Sequence, residues 1–178
     1  MKRLIALASS LGLLLSLLLV APAQSAPNCP NPAKDGKVIG QISFGKVKVP
    51  VTSISYPKGG VMDPPGSPKN AGLSARHNPL SAQTGSSIVT WHVNYNGCIG
   101  ALNPIMDKEI GFTFSVRDEK GVVTRYGLTE RFTVKKGAYL PEWFELAGPR
   151  QLVLVTCVGR FVNGHYQDNL VLIARPVV

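Results

Sequence analysis

Charged and acidic side chains are scarce in this sequence of 178 residues. Only 10 are Asp or Glu, against 19 Lys or Arg, and charged residues make up 16% of the chain, below the roughly 25% of an average soluble domain. Cysteine and histidine occur three times each, without the CxxC or HxxxH spacing of a metal site. We therefore expect neither a metal nor a cofactor.

Sustained helical periodicity is missing after the first 26 residues. The 18 glycines and 14 prolines are scattered without a repeat, which excludes collagen-like and coiled-coil order and favours short elements joined by turns. The apolar fraction of 44% is ordinary for a globular domain, so disorder is excluded for most of the chain.

The N-terminus has the order of a secretory signal. A basic start at residues 1–3 precedes the uncharged run 4–20 and the small residues Ala21-Pro22-Ala23. The run is close to the roughly 20 residues that span a bilayer. Residues 1–26 are therefore predicted to be a signal peptide or an uncleaved signal anchor. Either way the remainder is exported, to the outer face of the cytoplasmic membrane or beyond.

The exported part carries a thinly spread positive charge. Removal of residues 1–26 leaves 17 basic and 10 acidic side chains, a net charge of +7. No Arg-rich run or basic stripe with interleaved aromatic residues occurs, so a nucleic-acid partner is not expected. Attraction to an anionic cell envelope fits the charge better.

The remaining chain is predicted to be a linker followed by one mostly β domain. Residues 27–37 contain three prolines and form the linker, and residues 38–178 form the domain. Turn formers are dense over 57–87, which predicts a surface loop, and Pro141 opens one helical turn that extends to Leu146. Strands are predicted at 38–42, 47–51, 88–93, 112–116, 122–126, 132–134, 152–157 and 169–174.

The last two strands are apolar on both parities, which indicates that both of their faces are covered. The fold class is therefore mostly antiparallel β, closed or nearly closed as a barrel. Cys157 falls at the end of the first of these strands, and a thiol held there can act as a nucleophile. The alternative is an inert core cysteine.

A reactive thiol needs a partner that raises its thiolate fraction, and histidine is the usual one. His77 lies in a predicted loop and His165 in a predicted turn, where a solvated role is expected. His92 lies inside a predicted strand between apolar neighbours, so it is the candidate. Its alternative role is that of a satisfied core histidine.

These segments resemble the sortase family, in particular the class F sortases of actinobacteria. The run Leu-Val-Leu-Val-Thr-Cys that ends at Cys157 is similar to the family's cysteine strand, and Gly-His-Tyr-Gln-Asp-Asn, which ends at Asn169, is similar to the lead into its last strand. Val-Thr-Trp-His, ending at His92, occupies the place of its histidine strand. The similarity covers about residues 37–176.

The resemblance implies an eight-stranded β-barrel with one or two short helices and a cysteine transpeptidase of the hydrolase class. In that family the thiolate attacks the carbonyl after threonine in a sorting signal and forms a thioester. An amine, often from a peptidoglycan precursor, then resolves it. By position, Cys157 is the nucleophile and His92 the proton donor to the leaving amine. The implied partners are sorting-signal-bearing exported proteins and an amine acceptor of the cell wall.

The sequence departs from the family at three places. Trp91 stands where glycine usually precedes the histidine, and it is expected to narrow the cleft. The arginine near the start of the last strand is missing, so we expect Asn169, or Arg160 from the preceding loop, to hold substrate and oxyanion. Cys98 is additional, and we expect it to pair with Cys29, which leaves Cys157 free.

Two other functions remain open at this level. A catalytically silent barrel that binds a peptide or envelope ligand would account for Trp91 and for the missing arginine. A cysteine hydrolase would release its acyl group to water rather than to an amine.

Overall fold

The computed structural model describes residues 29–31, 35–55, 62–138 and 140–177. The predicted signal at 1–26 lies outside these residues. Within the described ranges, none of the helices has the length and apolar character that crossing a membrane requires.

Eight strands close into a barrel in the order β1-β2-β3-β4-β9-β10-β8-β7, and a separate hairpin, β5–β6, follows β4. Two short 3₁₀ turns, Asn103–Ile105 and Pro141–Trp143, lie in the connections. The closed barrel with two short helical turns confirms the predicted fold class. The strands are β1 (Val38–Phe44), β2 (Val47–Ile54), β3 (Ala71–Ser74), β4 (Ser86–Trp91), β5 (Asn94–Tyr95), β6 (Cys98–Ile99), β7 (Thr113–Arg117), β8 (Val123–Lys135), β9 (Gln151–Val162) and β10 (His165–Pro176).

Most neighbouring strands are antiparallel, but β2–β3 and β4–β9 are parallel pairs. The second parallel pair matters for the site. Since β4 and β9 run in the same direction, the residues that follow β4 lie beside the second half of β9 at one end of the barrel, called here the upper end.

Alternation along the strands separates an inner core from an outer cluster. On β9, Leu152 and Leu154 belong to the core inside the barrel, whereas Val153 and Val155 belong to a second apolar cluster on the outer face. The connection between β8 and β9 covers this outer cluster, for example with the buried ring of Trp143. The prediction that β9 and β10 are covered on both faces is confirmed.

Several predicted boundaries were wrong. The surface loop predicted over 57–87 contains strand β3, and Leu80 within it is buried. Ala-Gly-Leu-Ser has no β-branched residue, so its strand depends on pairing with β2 and β4 rather than on local propensity. The helical turn predicted to reach Leu146 ends at Trp143. Strand β9 continues to Val162, so Cys157 lies within the strand and not at its end.

Candidate active site

Cys157 is a free, half-exposed thiol on the outer face of β9. Because side chains alternate along a strand, it shares a face with Val153 and Val155 of the outer cluster. Strand β9 pairs with β4 as far as Thr156, and Cys157 itself pairs with Asn169 of β10. The sheet therefore fixes the position of the Cys157 backbone.

His92 is the first residue after β4 and not a residue inside the strand as predicted. The ladder between β4 and β9 ends at the pair of Trp91 with Thr156, and the Thr156 hydroxyl donates a 2.8 Å hydrogen bond to the Trp91 carbonyl. The next residues along the two chains are His92 and Cys157. Each of these two residues therefore lies one position past the end of the β4–β9 ladder.

Asn169 lies directly opposite Cys157 on the other side, in the β9–β10 register. Val171, two residues on, belongs to the outer cluster, so the alternation places Asn169 on the outer face as well. Its half-buried amide makes no side-chain hydrogen bond to any other residue in the described part of the chain. Cys157 and Asn169 therefore form a row across β9 and β10, and His92 directly follows β4, the strand on the other side of β9.

The His92 imidazole is held from several sides. Its ring stacks on Tyr95 with centroids 4.5 Å apart, and it hydrogen-bonds the backbone of Pro65. Burial lowers the pKa of His92 below its ordinary value of 6.5, and the Pro65 hydrogen bond and the charges of Asp63 and Asp35 oppose that shift. A neutral imidazole at neutral pH can accept the proton of a neighbouring thiol.

The backbone around His92 is clamped by Asn103. Its amide nitrogen donates to the Val93 carbonyl at 2.7 Å, and its amide oxygen accepts from the Trp91 indole at 3.1 Å. A methyl group at Gly100 would overlap the carbonyl oxygen of His92, so the absence of a side chain there is required. These contacts fix the chain on both sides of the imidazole.

The N-terminal segment is tied to the same region. A disulfide joins Cys29 to Cys98 with 5.7 Å between their Cα atoms, which confirms the predicted pairing and leaves Cys157 as the free thiol. The Asp35 carboxylate accepts hydrogen bonds from the Ser67 amide at 3.0 Å and from the Asn70 side chain at 2.8 Å. The predicted linker is therefore attached to the barrel at these described residues.

An apolar surface adjoins the row beyond Asn169. Val134 on β8 is the direct partner of Asn169, so it continues the row across a third strand. Val155, Phe132 and Leu140 are partly buried and pack against the outer cluster. A peptide lying along this face would meet apolar side chains on one side of the thiol and imidazole on the other.

One predicted contact was wrong. Trp91 is fully buried in the inner core, on the other side of the sheet from the outer cluster, so it does not narrow a cleft beside His92. The reason is the alternation of β4, which turns Val89 and Trp91 inward and Ile88 outward.

The other sequence candidates lie away from the row. Arg160 is exposed, and it lies where the register between β9 and β10 shifts. The His77 ring shares a 2.7 Å hydrogen bond with the Ser74 hydroxyl and packs on Phe144. His165 is exposed, and it is the first residue of β10 rather than part of the turn. Asn103, Tyr95 and Pro65 were not predicted, because no local pattern indicates that they surround a histidine.

Comparison with known proteins supports the fold. No model of a protein family and no curated protein matches the sequence. Among solved structures, sortase A from Corynebacterium diphtheriae matches with a TM-score of 0.61 at 16% identity over 80% of this chain, which spans 61% of that protein.

Two sortases of the C type are similar to the same degree. Sortase C-1 from Actinomyces oris gives a TM-score of 0.61 at 16% identity over 82% of this chain and 77% of its own. Sortase C1 from Streptococcus suis gives 0.60 at 17% identity over 80% and 74%. At these identities the likeness shows a sortase fold.

Proposed function

We propose that this chain is a sortase-type cysteine transpeptidase of the hydrolase class. The observation that supports the proposal most is the free thiol of Cys157 directly opposite Asn169, on a strand whose other neighbour, β4, is followed by His92. The sortase fold supports it, and so does the pairing of the other two cysteines with each other.

In the proposed reaction, neutral His92 takes the proton of the Cys157 thiol. The thiolate attacks the carbonyl carbon after threonine in a bound sorting signal, and the new C–S bond gives a tetrahedral oxyanion. The Asn169 amide donates a hydrogen bond to that oxyanion. Collapse of the intermediate breaks the peptide C–N bond, and protonated His92 gives its proton to the leaving amine.

The thioester is then resolved by an amine. His92 accepts a proton from the amine nitrogen as that nitrogen attacks the thioester carbonyl carbon. The new C–N bond forms, the C–S bond breaks, and His92 returns the proton to the Cys157 sulfur. The partners proposed are exported proteins that carry a sorting signal and an amine acceptor of the cell wall, on the outer face of the cytoplasmic membrane. Within the sortases we propose class F, on the motifs that surround Cys157 and Asn169.

Incubation of the protein with threonine-containing sorting peptides, followed by intact mass spectrometry, tests this function. We expect an acyl adduct on Cys157 that disappears when an amine such as hydroxylamine is added. The Cys157→Ala variant is the matched control, and it should form no adduct. Failure of every peptide in the panel to acylate Cys157 would contradict the proposal.

The missing arginine favours a second candidate function, a silent barrel that binds a peptide or envelope ligand without acylation. Buried Trp91 gives this alternative no support. An alkylating reagent that labels Cys157, and from which a sorting peptide protects it without forming an adduct, would favour binding alone. A product unchanged by added amine would indicate a cysteine hydrolase.

A further inference from the structure

The β9–β10 hairpin extends beyond the barrel as a free two-stranded ribbon. The ladder of β9 with β4 ends at Thr156, and the ladder of β10 with β8 ends at Asp168. Past these points Phe161 pairs with Tyr166 and Val162 with His165, closed by a turn at residues 163–164. The ribbon therefore projects from the upper end of the barrel.

The tip of this ribbon is apolar, aromatic and exposed. Phe161 is 63% exposed and Val162 is 39% exposed. The Phe161 and Tyr166 rings pack edge to face with centroids 5.0 Å apart, so they form one small aromatic surface. A projecting tip that combines an exposed apolar side chain with the amphipathic ring of Tyr166 fits a partner that is apolar below a polar boundary.

The surroundings of the tip are positively charged. Arg160 on the ribbon and Lys136 at its base are both exposed. The acidic residue of the ribbon, Asp168, forms a 2.7 Å salt bridge with Lys135, so its charge is compensated. Aromatic and apolar groups flanked by cations suit the interface of an anionic bilayer.

The path of the N-terminal segment points to the same end. Cys29 is joined to Cys98 in the β5–β6 hairpin, which follows the upper end of β4, and Ile99 beside it is 73% exposed. In the sequence, the uncharged run 4–20 ends nine residues before Cys29, which is fixed at the end of the barrel from which the ribbon projects.

We infer that the β9–β10 tip, residues 160–166 with Lys136, docks on an anionic phospholipid surface. Phe161 and Val162 enter the interface, and Arg160 and Lys136 meet lipid phosphates. Docking would hold the row of Cys157 close to the membrane, where exported chains emerge. This inference does not depend on the proposed acyl transfer.

Depth-dependent fluorescence quenching tests the inference in the full chain. Phe161→Trp places an indole at the tip, and Val122→Trp places one at the turn between β7 and β8, a position of similar exposure at the opposite end of the barrel. The signal of wild-type Trp91 and Trp143, which are both buried, is subtracted. Each variant is reconstituted in brominated vesicles of phosphatidylglycerol or of phosphatidylcholine.

We expect strong quenching and a blue shift for Phe161→Trp in phosphatidylglycerol vesicles, weaker quenching in phosphatidylcholine, and none for Val122→Trp. Arg160→Gln and Lys136→Gln in the Phe161→Trp background should each lower the insertion equilibrium about fivefold. Titration of a single free thiol checks that each variant has folded. Equal quenching at the two positions would overturn the inference, as would a tip that responds to added peptidoglycan but not to vesicles.

Discussion

Cys157 on β9 lies directly opposite Asn169 on β10, and both residues face the outer side of the barrel. The neighbour of the thiol on this side is thus a neutral amide donor, whereas the family that the sequence resembles carries an arginine near this point. An amide can donate a hydrogen bond to an oxyanion but adds no positive charge. On the other side of β9, His92 directly follows the paired strand β4.

The first prediction concerns that amide. Asn169→Ala should slow thioester formation about 10²- to 10³-fold, because it removes an oxyanion donor. Asn169→Arg should recover most of the rate, since a guanidinium can donate from the same place. Rates are measured by rapid-quench mass spectrometry. Undiminished rates in both Asn169→Ala and Arg160→Ala would show that neither residue stabilises the oxyanion.

Asn103 is predicted to position His92 without touching the substrate. Asn103→Ala leaves the Val93 carbonyl and the Trp91 indole without their partner, which should cost about 1–3 kcal/mol of stability. Because the chain on both sides of His92 is then loosened, kcat should fall more than KM rises.

Trp91→Phe is the matched variant for that prediction. It removes the indole donor and leaves the Asn103 bond to Val93 in place. We therefore expect it to lower stability with a smaller loss of kcat. If Asn103→Ala and Trp91→Phe lost the same free energy of unfolding and also lowered kcat by the same factor, a positioning role for Asn103 would be contradicted.

The disulfide is predicted to stabilise the exported domain through its long closed loop. Cys29 and Cys98 are 69 residues apart, and in the chain-entropy model a loop of that length contributes about 4 kcal/mol. The double variant Cys29→Ser/Cys98→Ser should unfold at a correspondingly lower urea concentration. Cys157→Ser, which leaves the bridge intact, should unfold close to wild type. Thiol titration of the native protein should find one free cysteine.

Stability is predicted to fall as the pH drops below about 6.5. Burial lowers the pKa of His92, and burial together with Arg76 lowers that of His77, so the unfolded chain binds more protons than the folded one between each folded pKa and 6.5. The part of the free energy of unfolding that these two imidazoles contribute is therefore fully present above pH 6.5, and it is lost as the pH falls through that window.

Urea unfolding at pH 7.5 and pH 5.5 measures this dependence. His92→Gln should make the decline shallower, because one of the two half-buried imidazoles no longer titrates. An identical decline in wild type and in His92→Gln would refute the prediction.

Local sequence predicted the strands whose patterns are strong. Alternation over 112–116 and 122–126 gave the β7–β8 hairpin, and the apolar runs ending at Cys157 and Ala174 gave the covered strands β9 and β10. It failed at β3, whose four residues have little β propensity and are ordered by their neighbours. The odd number of cysteines predicted an unpaired thiol, and the resemblance, which makes Cys157 the nucleophile, led to the predicted pairing of Cys29 with Cys98.

The residues of the candidate site also divide into those that the sequence could predict and those that it could not. Residue type alone shows where thiols and imidazoles occur, so Cys157 and His92 could be selected as candidates from the sequence. The direction of Trp91 could not, because a strand residue has two possible faces and only the closed sheet shows which is the interior. The clamp by Asn103 joins residues 10 and 12 positions apart across a loop, and loop contacts of this kind have no periodic signature.

Thus hydrophobic periodicity by itself determined a mostly β domain, and the odd cysteine count determined that at least one thiol has no partner within the chain, because both are local or countable properties; export remains a prediction from the N-terminal sequence. Only the tertiary structure decided that Cys157 lies opposite Asn169, that Trp91 is turned to the interior, and that the β9–β10 ribbon stands free of the barrel. These relationships depend on the pairing of strands that are distant in sequence, such as β4 and β9, whose paired residues are 65 positions apart.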